Sequence, residues 1–166
     1  MTRIVPASNA GKYLQELSST AKNVNDLTDQ LTKEVSGIEA VVNRLNLGVE
    51  TNVRVESWSD EEGVHSGLWR LAYGKHAGKW CFSIEYLTED HDEGPMADTY
   101  ESWFFKDAPR DARIKAVGKI PELLAVLVQE SRKLAEEIAG KVTYAQELAE
   151  TLSQASAGAT DDRGHP

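Results

Sequence analysis

Cysteine is almost missing: Cys81 is the only one among 166 residues. No disulfide can form within the chain, and the composition suits a reducing compartment. No stretch approaches the ~20 consecutive apolar residues that cross a bilayer. The opening MTRIVPASNAGKYLQEL lacks the apolar run of a secretory signal. The expectation is a soluble, cytoplasmic protein with no membrane partner. Basic residues are scarce as well. Lys and Arg number 18 against 27 Asp and Glu, a formal net charge of -9. Nucleic acid is not an expected partner, because binding it takes clustered Lys and Arg to displace counterions.

Familiar site motifs are missing too. YGKHAGKW (residues 73–80) has the glycines and lysines of a phosphate loop. A P-loop needs G-x-x-x-x-G-K-[ST] between a strand and a helix. Here Gly74 and Gly78 stand one residue too close, Trp80 takes the Ser/Thr position, and a strand follows. No H-x-x-x-H or paired-cysteine spacing points to zinc. Placing Gly94 as the glycine of an EF-hand loop puts Tyr100 at the twelfth position, where a bidentate Glu is required. No cofactor is expected.

What is present is periodicity. Leu17, Ala21, Val24, Thr28, Leu31, Val35, Ile38, Val42 and Leu45 recur in alternating steps of four and three. That is the narrow stripe of a helix packing on another helix. It predicts a helix over 8–47, stopped by Gly48. Leu124, Leu127, Ser131, Leu134 and Ile138 repeat the pattern, which then slips by one residue into Val142, Ala145, Ala149 and Leu152. A second long helix is expected over 121–153, after a short one over 108–118. The long helices have two ways to pair: within the chain, or across a two-fold axis in a homodimer. Residues 154–166 are small and polar and read as a disordered tail.

Between the helices the period falls to two, giving strands over 49–58, 67–74, 79–87 and 98–106. In sum, residues 1–153 should form one α+β domain: a four-stranded antiparallel meander, with one face covered by the two long helices and the short one. Pairing Tyr73 with Trp80, Leu71 with Phe82 and Trp69 with Ile84 puts the large apolar side chains on one face. It leaves residues 75–78 as a four-residue loop. Strand 4 has two possible parities, with Trp103 and Phe105 inward or Tyr100 and Phe104 inward. Cys81 falls on the outer face with no histidine beside it and reads as a packed thiol. By strict alternation, Trp58 also points outward.

The charge is concentrated. Residues 49–107 hold five Lys/Arg and thirteen Asp/Glu, a net -8, whereas residues 1–48 are neutral and 108–166 carry -1. Much of it lies in two connections, SDEEGVH and TEDHDEGPMAD. A meander brings these to one rim. Trp58, Asp60, Glu61, Glu62, Glu89, Asp90, Asp92 and Glu93 are therefore the candidate surface for a basic protein partner. This reading makes the protein a non-enzymatic adaptor. Two alternatives stand beside it. One is a metal-assisted hydrolase using Asp60, Glu62, His65, His91 and Asp92. The other is a structural coiled-coil oligomer with no separate ligand.

Overall fold

The apolar periodicities become two long helices and a sheet. The computed structural model describes residues 9–90 and 99–161. Helix α1 spans Ala10–Arg44. Strands β1 (Thr51–Ser59), β2 (His65–His76), β3 (Lys79–Asp90) and β4 (Thr99–Phe104) follow. A single 3₁₀ turn, Phe105–Asp107, leads to α2 (Arg110–Val117) and α3 (Ile120–Asp161). The sheet order is β1-β2-β3-β4, with every neighbouring pair antiparallel. This is the expected α+β meander with helices on one face. Helix α3 continues to Asp161, into the stretch whose composition suggested a tail. Helix α1 ends at Arg44, ahead of Gly48, and Asn46 takes a left-handed φ of 49° just beyond it.

The core lies between the sheet and the helices. Val53, Leu71, Tyr73, Phe82 and Ile84 from the sheet meet Val35 and Val42 of α1, Ala112 and Ala116 of α2, and Ile120, Leu123 and Leu127 of α3. Small alanines on α2 let that helix approach closely, and Ala116 is completely buried.

Three details of the pairing were not decided by alternation alone. The β2–β3 register is two residues tighter than expected: Tyr73 faces Phe82, Leu71 faces Ile84, and Trp69 faces Tyr86. A shift of two preserves the faces, so the core is as expected while the loop shrinks to Ala77 and Gly78. Both have positive φ (49° and 79°), as a two-residue type I′ turn requires. Second, Val55 is an extra residue between the Arg54–Arg70 and Glu56–Trp69 pairs. This bulge reverses the parity beyond it. Trp58 therefore lies on the helix-bearing side, not the outer one. It sits over Gly67, where a Cβ would be 2.2 Å from its Nε1, and it donates to Tyr86 Oη at 3.3 Å. Third, β4 turns Trp103 inward opposite Ile84, and Phe104 and Tyr100 outward.

Strand β4 is shorter than β3 and pairs with residues 83–88 alone. The edge of β3 before Ser83 is covered by α1 instead. Glu39 Oε2 accepts from the Phe82 amide at 2.7 Å, and Asn43 Nδ2 donates to the Trp80 carbonyl at 3.0 Å. Two helical side chains four residues apart thus satisfy an edge that would otherwise invite another strand. Burial raises the Glu39 carboxyl above its ordinary 4.5, opposed by the Phe82 hydrogen bond. A carboxyl raised in the fold stabilises it below the unfolded value and loses that contribution as pH rises through the folded value. Glu39→Gln keeps an acceptor for Phe82 without the charge. The melting temperature of this variant, measured relative to the unaltered protein, should therefore climb as pH rises above the ordinary carboxyl value of 4.5. A difference that is flat with pH would contradict this role.

Candidate functional site

The acidic rim is built by the β1–β2 connection and the far end of β3. Register places His65 opposite Asp90 and Ser66 opposite Glu89, so residues 60–64 and the end of β3 share one end of the sheet. The Ala77–Gly78 turn is at the other end. The candidate carboxylates here do different jobs. Asp60 Oδ1 accepts from the Val64 amide at 2.8 Å and Oδ2 from the His65 amide at 3.1 Å, while its own amide donates to the His65 carbonyl at 3.0 Å. Asp60 therefore shapes the turn. Glu61 and Glu62 project into solvent at its tip and make no ion pair among the described residues. Glu89 is exposed on the outer face of β3. His91, Asp92 and Glu93 lie outside the described residues.

This division is measurable. Asp60→Ala leaves two backbone donors without their acceptor and should cost about 1–2 kcal/mol. Glu61→Ser with Glu62→Ser should change stability by less than about 0.5 kcal/mol. Denaturant titration of both variants checks the contrast, and equal losses would refute it.

Among the described residues, no group of three or more His, Cys, Asp or Glu side chains is placed to hold a metal ion. Asp60, Glu62 and His65 do not make a ligand set by themselves. Cys81 is buried on the outer face opposite Gly74. Burial pushes its thiol upward, and the charge of Glu39 adds to the effect. It behaves as a packed small side chain, since a nucleophilic cysteine needs the opposite shift.

The outer face carries a row set by the observed register. Arg54, Arg70, Glu85 and Ser102 lie side by side across the four strands. Tyr100 donates to Glu85 at 3.0 Å, and His76 stacks edge-on to Phe104 with ring centroids 4.5 Å apart. His76 Nδ1 is also 3.2 Å from Ser102 Oγ, so this histidine is a sheet residue and not a solvated loop tip.

Among the described residues, most of the exposed large apolar side chains are on the helices. The sheet and α2 engage α1 from Asn25 onward, where Arg110 bonds Asn25 and Arg113 bonds Thr32. Before that point the stripe is uncovered: Tyr13, Leu14, Leu17 and Val24 are 38–69% exposed, and Leu27, just beyond it, is 56% exposed. The second half of α3 is uncovered in the same way, with Ile138, Val142, Tyr144, Leu148 and Leu152 at 46–63%. The two long helices do not lie along one another within the chain. They approach near the C-terminal end of α1, where Val42, Leu45 and Leu47 border an apolar groove of about 360 Å³ with Leu124, Leu127 and Val128. The α3 stripe runs outward from this groove. Periodicity located both stripes but had no means of showing where coverage stops. No helix among the described residues is long and apolar enough to cross a membrane.

Comparison with protein-family models, curated proteins and solved structures finds no match for this chain.

Proposed function

We propose that the protein is a non-enzymatic cytoplasmic adaptor whose acidic rim receives a basic protein partner. The observation that carries this reading is the placement of charge. Lysine–carboxylate pairs occur on α1, between α2 and β1, and on α3. Glu61 and Glu62 stand exposed on the rim with no such pair among the described residues, in a region of net -8. Unneutralised carboxylates of that kind steer a positively charged surface and set its orientation. The cytoplasm suits a chain with one buried, unpaired thiol, Cys81.

The test is capture of a basic protein from the native host at low and high salt. Capture should weaken as salt rises, because the Debye length falls from about 10 Å at 0.1 M to about 3 Å at 1 M. It should be lost when Glu61, Glu62, Asp90 and Asp92 are changed together to serine. Capture that survives this replacement would show that the rim is not the docking surface.

A further inference from the structure

We propose that two copies of this chain assemble by exchanging helical arms, the uncovered start of α1 in one copy lying along the uncovered end of α3 in the other. This is independent of the rim. Each chain carries two apolar stripes of similar reach with nothing on them. Leu14, Leu17, Ala21 and Val24 follow steps of three and four on α1. Ile138, Val142, Ala145, Ala149 and Leu152 follow steps of four and three on α3. These are the steps at which one helix seats its side chains between those of another.

The occupant is argued from exposure, charge and closure. Together the two arms leave ten large apolar side chains 38–69% exposed on each chain, a run of bare apolar surface of the kind that partners cover. A second copy covers that surface without any further component. Charge then decides which arm meets which. Residues 135–156 of α3 hold Glu136, Glu137, Glu147 and Glu150 against Lys141, one positive and four negative, net -3. Two such arms laid together would repel. The α1 arm is neutral, with Lys12 paired to Glu16 and Lys22 to Asp26 along its flank. The pairing that avoids this repulsion and leaves neither stripe bare is α1 on the partner's α3, made twice across a two-fold axis, and this closes the assembly at two chains. The continuous groove at Leu124, Leu127 and Val128 gives the seam its inner end. The arms also gain stability from it, since a helix without tertiary cover is marginal in water.

The experiment compares the full chain with Leu17→Asp and Val142→Asp by light scattering on a sizing column. Both positions are exposed, and circular dichroism melts establish that each variant folds. The unaltered chain should run as a dimer, and each variant should dissociate at least ~10-fold more readily, which corresponds to about 1.4 kcal/mol. Mixing the two variants should restore assembly in part, because each supplies the intact arm that the other lacks. A chain that is monomeric at every concentration overturns the proposal. So do folded variants that dimerise like the unaltered chain. Variants that fail separately and gain nothing on mixing overturn the exchanged pairing.

Discussion

Phe82→Ala is expected to destabilise the fold by about 3–5 kcal/mol. Phe82 has no exposed surface and lies at the middle of the inner face. Its ring packs edge-on against Tyr73, with centroids 5.8 Å apart. Removing it takes away the transfer free energy of the ring and leaves a cavity between elements that do not collapse easily. Beneath it are the backbones of β2 and β3, and β2 is held on both sides by β1 and β3. A domain of this kind is stable by roughly 5–15 kcal/mol in total, so the loss is a large fraction of the whole. Urea denaturation should show a midpoint displaced to lower concentration with little change in slope. A loss below about 1 kcal/mol would mean that this side chain is not at the centre of the core.

Asn43→Ala is expected to cost about 2–3 kcal/mol, although it removes few apolar contacts. Asn43 is the bridge between α1 and the sheet. Its Oδ1 accepts from the buried Tyr73 hydroxyl at 2.8 Å, and its Nδ2 donates to the Trp80 carbonyl at 3.0 Å. The substitution leaves one part-buried donor and one part-buried acceptor unsatisfied, each a penalty of about 1–3 kcal/mol before relaxation. It also uncovers part of the β3 edge. Asn43→Asp retains the acceptor for Tyr73 but turns a carboxylate oxygen toward the Trp80 carbonyl, so it should recover little of the loss. Denaturant melts, read beside amide exchange at Phe82, check both. Unchanged stability in Asn43→Ala would contradict the bridging role.

The parts of this fold that were legible in the chain are those governed by simple repetition. Steps of three and four located α1 and α3, and steps of two located the strands and the inner face, with Leu71, Phe82 and Ile84 as expected. The parts that were not legible come from single-residue irregularities and from tertiary extent. Nothing in TNVRVESWS announces that Val55 is left over, yet that one residue turns Trp58 from the outer face to the inner. The β2–β3 register was ambiguous by two residues because such a slip moves no side chain between faces. It was decided by Ala77, a residue without special turn propensity, adopting positive φ beside Gly78. The covering of β3 by Glu39 and Asn43 depends on β4 stopping at Phe104, which no local pattern specifies.

The rim followed from topology as far as β1, β2 and β3 define it. Composition did not reveal that Asp60 is committed to its own turn while Glu61 and Glu62 are available. For the arms, a heptad stripe looks the same in sequence whether it is buried or bare. Thr28 and Val35 are covered and Leu17 is not, and only the position of α2 and the sheet along α1 separates them.

If the bare helical stripes are seams between copies, their amides must become protected when copies meet. Hydrogen exchange along the full chain, measured at low and at high protein concentration, tests this directly. Protection over residues 14–27 and 138–152 should rise with concentration, while β2 and β3 exchange equally slowly in both samples. Arm amides that exchange quickly and identically at every concentration would contradict the account, because the stripes would then be facing water and not another chain.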